Sequence, residues 1–326
     1  MSPAVDLTGK EIVQVGIVVR DAATTAKRYT ELFGIGPWRF LDVSPVGVVL
    51  HDERVGDPDC ALRVALAGLG RTQIELIQPL HGPSTHMEFL SERGQGVHHV
   101  SFGAVGDHDE FVSELGEAGV GIEMQGQLGN LTFTYLATQG PLGTIFEVVK
   151  GLSSGAPSRV RPWGTYAPSG PGTIDIKGKE IVQIGIVVED VAKTAARYEE
   201  LLGIGPFQFV SFKPPLVRGG TLHGISMGEA EIHIEGALAN HGHMQLELLE
   251  PVSGPSTHME FLKTRGQGVH HVSFGAVDDH DEVVAALESQ GIDVEMTGRI
   301  GADTTFTYMA SQADLGTIFE VVKTGG

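Results

Sequence analysis

Four polar residues stand in otherwise apolar runs, and the set occurs twice: Gln14, Glu75, His99 and Glu147, then Gln183, Glu247, His271 and Glu320. Their surroundings in the first half are EIVQVGIVV, TQIELIQPL, GVHHVSFGAV and GTIFEVVK, each a β-branched stretch of strand character. A carboxylate buried in a strand costs several kcal/mol unless it meets a cation, binds a metal or takes up a proton. The same-face neighbours of Glu147, Ile145 and Val149, offer no counter-charge. Two carboxylates, an amide oxygen and one imidazole, converging from four strands, would share a single divalent ion. An oxygen-rich set with one nitrogen and no sulfur suits Mg, Mn, Fe(II), Co, Ni or Zn, with water completing the shell.

Taken singly, a strand glutamate ordinarily faces solvent and a strand histidine ordinarily fills a core. Divergence around the set favours ligands: residues 52–72 share few letters with 224–244, yet the four positions are unchanged. In VHHVSFGA, strict alternation would place Val97, His99, Ser101 and Gly103 on one face and His98, Val100, Phe102 and Ala104 on the other. His99 then has small neighbours and room for a ligand, and His98 is the core histidine under a helix.

The elements that position these residues are legible in order. EIVQVGIVV reads as a strand. The helix DAATTAKRYTELFG follows, capped by Asp21 and stopped by Gly34. GPWRFLDV, VGVVLHD and a stretch ending in TQIELIQPL give three more strands, so the unit is βαβββ. A short helix capped by Ser84 and ended at Gly94 leads into GVHHVSFGAV. A helix from Asp107, with Glu110 three residues on, and three further strands then complete a second such unit. GQGVHHVSFGAV at 94–105 returns letter for letter at 266–277, inside a longer repeated block that begins GPSTHMEFL. The chain is a tandem duplication: a first module over 1–150, a Gly/Ser/Pro-rich linker without periodicity over 151–176, and a second module over 177–326.

Bulk properties narrow the functions. Hydrophobic residues make up 41% and charged residues 19%, ordinary globular material. A net charge of -19, from 41 acidic against 22 basic residues, disfavours nucleic acid and anionic membrane as partners. Cys60 is the only cysteine, which excludes a disulfide framework and a thiolate cluster. No long apolar run and no apolar core in MSPAVDLTGKE are present, so a soluble cytoplasmic protein is expected.

QVGIVV, the helix end LFGIGPW, IELIQPL, GVHHVSFGA and GTIFEVV together resemble the vicinal oxygen chelate superfamily, which includes glyoxalase I, methylmalonyl-CoA epimerase, extradiol dioxygenases, and fosfomycin and bleomycin resistance proteins. ELIQPL, a short helix and GVHHVSF are most similar to the epimerase pattern. The resemblance covers both modules. It implies an α+β fold of tandem modules, each of two βαβββ units in a cupped mixed sheet. It places the family's four ligand sites on the residues already chosen, with the second histidine of each pair as ligand. Gln14 and Gln183 stand where many relatives have histidine, a set like that of some glyoxalases.

A divalent ion open to two substrate oxygens can hold a carbonyl and stabilise an enolate or enediolate, while an adjacent carboxylate moves the proton. The resemblance nominates Glu147 and Glu320 for that step. The expected activity is that of an isomerase, epimerase or lyase on a small carbonyl or thioester compound. An extradiol dioxygenase and a non-catalytic binder are the alternatives. His223, His241, His243, Tyr135 and Tyr308 are candidate pocket residues, and of the two modules the second, with its additional histidines, is expected to hold the more elaborate pocket. Arg71, Arg93 and Arg265 are the few cations available for a thioester's anionic carrier. Each module could close its sheet on itself, on its partner module or on another chain in a homodimer.

Overall fold

The structure, a computed structural model, describes residues 3–151, 160–176, 178–227 and 232–325. The first unit holds β1 (Gln14–Val18), α1 (Ala22–Phe33), β2 (Trp38–Val43), β3 (Val46–Leu50), β4 (Glu53–Gly56), β5 (Ala61–Leu69) and β6 (Thr72–His81). Then come α2 (Thr85–Glu92), β7 (Gly96–Ala104), α3 (His108–Glu117), β8 (Ile122–Leu128), β9 (Leu131–Leu136), α4 (Gln139–Leu142) and β10 (Ile145–Gly151). A connecting strand, β11 (Val160–Tyr166), precedes the second module. That module repeats the plan with β12 (Gln183–Val187), α5 (Val191–Leu202), β13 (Gln208–Phe212), β14 (Val217–Leu222), β15 (Ile225–Ser226), β16 (His233–His241), β17 (Met244–Ser253) and α6 (Thr257–Arg265). It ends with β18 (Gly268–Ala276), α7 (His280–Ser289), β19 (Val294–Ile300), β20 (Thr304–Met309), α8 (Gln312–Leu315) and β21 (Ile318–Thr324).

The expected caps form. Asp21 accepts from Thr24 N, Ser84 from Met87 N, and Asp107 from Asp109 N and Glu110 N, while Gly34 takes φ 66° at the end of α1.

Each module closes its sheet on itself. β1 pairs parallel with β6 and antiparallel with β7, so the first unit's β2–β5–β6–β1 continues into the second unit's β7–β10–β9–β8. The convex face packs on the helices through Val15, Ile17, Ile74, Leu76, Val100 and Phe102. The concave face carries Leu62, Val64 and Ile77 and is closed at one end by α2.

Two readings of the sequence change. The strands of the first unit's βαβββ are β2, β5 and β6. The VGVVLHD strand instead forms a β3–β4 hairpin that pairs with β8, at the second unit's edge of the module sheet. The single stretch ending in TQIELIQPL is two strands folded at Gly70 and Arg71, where Gly70 supplies the φ of 60° the turn needs. The linker also contains structure. VRPWGTY forms β11 along β2, with a bulge between Pro162 and Gly164 that accommodates a residue lacking an N–H. Trp163 lies edge-on to Phe40 at 5.1 Å and beneath Arg63 at 4.2 Å. Residues 152–159 of that linker lie outside the described residues. Among the described residues no helix is long and apolar enough to cross a membrane.

Candidate metal centre

Strand pairing sets the site. Leu66 lies opposite Glu75, Glu75 beside Gly16, and Gly16 opposite His99, one row running across β5, β6, β1 and β7. Glu147 on β10 lies beside Ser101. His99 Nε2 therefore stands 3.4 Å from Glu75 Oε2 and 3.8 Å from Glu147 Oε2. In the second module His271 Nε2 is 3.5 Å from Glu247 and 3.9 Å from Glu320.

Both imidazoles are wholly buried, and neither Nε2 has a hydrogen-bond partner among the described residues. An orphaned buried nitrogen costs free energy, and two carboxylates beside it add like-charge repulsion. One shared cation would relieve both, and ligand atoms held about 2.0–2.2 Å from a common ion keep separations of this size. The residues fit a divalent ion on these grounds. Gln14 lines the same concavity. Its amide nitrogen donates to Gln73 Oε1 at 2.8 Å, and no donor reaches its carbonyl oxygen among the described residues.

Electrostatics agree. Burial raises the Glu147 carboxyl to about 7, with Glu75 adding to the rise and His99 opposing it; burial likewise raises Glu320 to about 7. Burial opposes the charge of His99, but Glu147 and Glu75 outweigh it and hold its pKa above the ordinary value. Burial pushes the Tyr135 phenol far up, so it remains a neutral hydroxyl.

His98 departs from the expected alternation. The register on β1 passes from His99 to Val97 and skips it, a bulge that places Val97 in the convex core with Val100 and Phe102. His98 instead packs against His86 and Phe89 of α2, with ring centroids 4.6 and 5.4 Å away, and its Nδ1 lies 3.2 Å from His99 Nδ1. A partner on Nδ1 fixes the ring and leaves Nε2 for the carboxylates. Tyr135 lies over His99 at 4.7 Å, and its hydroxyl is 3.3 Å from His86 Nε2. Tyr308 and His271 repeat the contact at 4.8 Å.

Two contributors escaped the sequence reading. A Cβ on Gly16 would stand 2.0 Å from His99 Cε1, and one on Gly185 the same distance from His271 Cε1. The imidazole lies across the strand, and glycine is what lets it. The signal was a glycine inside a β-branched run, where it otherwise weakens a strand. His86 and His258 were visible only as letters of the repeated GPSTHMEFL block.

The modules differ in the space over these residues. The first has a cavity of about 780 Å³ reaching Gln14, Glu75, Tyr135 and Glu147. The second has about 50 Å³ beside Glu247, Tyr308 and Glu320, against the expectation that it holds the more elaborate pocket. Phe212 stands where the first module has Val43. Its ring comes within 2.6 Å of where a Cβ on Gly236 would lie, and Gly236 is the counterpart of Val64. A large side chain folded over a glycine fills the concavity.

Other candidate pocket residues lie elsewhere. His223 is half exposed, with Nε2 2.7 Å from Glu260. His241 contacts Phe102 of the first module, and His243 meets Thr72 at 3.1 Å and Glu11 at 3.3 Å, so both belong to the contact between modules. The cations considered for an anionic carrier are engaged: Arg71 with Glu180, Arg93 with the Gln267 carbonyl, and Arg265 with the Gln95 carbonyl.

Residues 13–132 and 182–308 match the family model described as the Glyoxalase/Bleomycin resistance protein/Dioxygenase superfamily. Among solved structures, a mutant of 4-hydroxymandelate synthase from Streptomyces coelicolor is similar over 100% of this chain and 94% of its own, with TM-score 0.62 and 16% identity, a likeness of fold. The Mn(II)-bound glyoxalase from Novosphingobium aromaticivorans overlaps less closely, with TM-score 0.48 and 15% identity over 96% of this chain and 82% of its own. Among curated proteins, the uncharacterized protein YqjC of Bacillus subtilis (strain 168) is 30% identical over 91 residues. That match takes in 28% of this chain and 53% of the relative, so the chain spans about half that relative's length.

Proposed function

The chain belongs to the glyoxalase/bleomycin resistance protein/dioxygenase superfamily, and from that premise we propose that its first module is a divalent-metal enzyme that moves a proton next to a substrate carbonyl, as an isomerase, epimerase or lyase. The observation that carries this reading is the unpartnered, wholly buried Nε2 of His99, facing two carboxylates on the floor of a cavity of about 780 Å³. Gln14, Glu75, His99 and Glu147 would hold the ion. When bound, it supplies positive charge that polarises a carbonyl oxygen and favours loss of a proton from the neighbouring carbon.

The protein's own groups do the rest. Glu147 is the buried carboxylate on the cavity floor, 3.8 Å from His99 Nε2, placed to act as the general base on the substrate carbon. It takes the proton from the carbon and returns it to the same carbon, to its neighbour, or to a departing group. Tyr135 and the His86–His98 stack pack around the His99 ring and keep it in place. The second module keeps Gln183, Glu247, His271 and Glu320 beneath a nearly closed concavity, which supports a structural rather than a catalytic part for it.

Proton chemistry predicts an exchange reaction. In heavy water, the metal-loaded chain exchanges the hydrogen beside the carbonyl of an α-hydroxy or α-keto compound it binds, and Glu147→Gln lowers that rate by about 10²–10⁴-fold. The reading fails if a bound carbonyl compound exchanges no faster with the loaded wild-type chain than with Glu147→Gln.

A further inference from the structure

We propose that the first module selects an anionic amphiphile: a compound whose oxygens lie toward His99, whose apolar body crosses the concave sheet, and whose negatively charged tail is held by Arg39. The inference rests on the metal-centre reading only for which end of the compound reacts.

Arg39 lines the cavity from β2, on the same face as Leu41 and Val43, and it has no ion pair or hydrogen bond through its side chain among the described residues. Two other arginines of the first module are paired: Arg63 grips Asp42 at 2.7 and 3.0 Å, and Arg71 is paired with Glu180. A lone guanidinium over an apolar concavity presents a fork of donors with no acceptor from the protein. Leu66 lies between it and Glu75 in the row, and Leu62, Val64 and Phe133 line the same cavity, all contributing only hydrocarbon.

Strand pairing sets the backbone spacing between Arg39 and the ligand set, which bounds the scale of the ligand. Arg39 lies opposite Leu66, and Leu66 opposite Glu75, so Arg39 is two strands from the ligand set in one row. At roughly 4.8 Å per strand the span is about 10 Å. The charge distribution also favours an anion at that end. A divalent ion would balance Glu75 and Glu147, leaving Arg39 as the uncompensated charge of the cavity.

The second module provides the internal control. In the same row, Gln208 lies opposite Leu238 and Leu238 opposite Glu247, so glutamine takes the place of Arg39 in the module whose concavity Phe212 fills. The cation accompanies the open cavity.

Two fluorescent probes with the same ring system separate charge from apolar burial: 8-anilinonaphthalene-1-sulfonate and uncharged N-phenyl-1-naphthylamine. Their dissociation constants are measured on the full chain, metal-stripped and metal-loaded, for wild type, Arg39→Gln and Val64→Trp, with metal content assayed in parallel. The expected result is tighter sulfonate binding by wild type, about tenfold weaker in Arg39→Gln, with the uncharged probe and the metal content unchanged. Val64→Trp, which fills the cavity, displaces both probes. Equal loss of both probes in Arg39→Gln, an unchanged sulfonate affinity there, or sulfonate binding that survives Val64→Trp would overturn the assignment. Because the probes are read in the stripped chain as well, a protein that binds no metal but shows the Arg39 effect sinks the metal reading alone. A chain that binds metal without the effect sinks this one alone.

Discussion

The ring of His99 crosses the backbone of β1 at Gly16, so one missing Cβ decides whether its Nε2 meets Glu75 and Glu147. Gly16→Ala is predicted to push the ring off the carboxylates at a cost of about 1–3 kcal/mol and to abolish metal binding in the first module while the far-ultraviolet circular dichroism stays native. Retained metal affinity in that variant would show that the ring has another way to reach the site. A second prediction concerns His258, buried with neither nitrogen hydrogen-bonded among the described residues and held neutral by burial, its pKa lowered to about 3. A histidine with a depressed folded pKa contributes stability that is full above its unfolded value near 6.5 and is lost as pH falls toward 3. His258→Phe should therefore remove a loss on the order of a few kcal/mol across that window, leaving stability at pH 7.5 within about 1 kcal/mol of wild type; denaturant melts at both pH values check it. At this scale the sequence showed the residue types and their repetition. It did not show the bulge that turns His98 toward α2, because a bulge is a matter of strand register that alternation alone cannot reveal.

Among elements, β11 was the least legible. Its Gly, Ser and Pro content reads as a connector, yet pairing with β2 supplies the backbone partners that make it a strand, and Trp163 supplies the cover for Phe40. In the second module, β13 has no such cover from the connector among the described residues, and Phe209 is 60% exposed where Phe40 is 4% exposed. Trp163→Ala is predicted to destabilise the chain by about 1–2 kcal/mol through the lost aromatic and cation–π contacts, a shift that equilibrium denaturation resolves; a change below a few tenths would mean that β11 is held by its backbone alone. The β3–β4 hairpin was misplaced for a related reason. Its residues have strand character in either sheet, and only tertiary pairing with β8 decides where it goes. By contrast, the strands bearing the polar set were legible, because each combines a β-branched run with one residue that the run does not need for packing.

Across the whole molecule, the duplication is also an exchange. Phe33 of α1 packs 5.1 Å from Phe319 of the second module, and the Tyr29 hydroxyl donates to the Leu315 carbonyl. Tyr198 of α5 donates in turn to the Leu142 carbonyl of the first module. The segments that precede each first strand cross as well: Ala4 and Val5 bond to the end of α5, and Thr173 and Ile174 to the end of α1. Val97 and Val269 join the two sheets. With cores shared in this way, the modules should unfold together in one calorimetric transition whose van't Hoff and calorimetric enthalpies agree; two resolved transitions would show independent domains. The duplication itself was plain in the letters, but the exchange was not, since it rests on which copy of a helix each copy of a sheet accepts. The measurement that bears most directly on the central claim is elemental analysis of the purified chain beside Glu147→Ala and Glu320→Ala. The account predicts a divalent ion in the first module that Glu147→Ala loses and Glu320→Ala retains. A wild-type chain that holds no ion after equilibration with Mn, Co, Ni and Zn would contradict it.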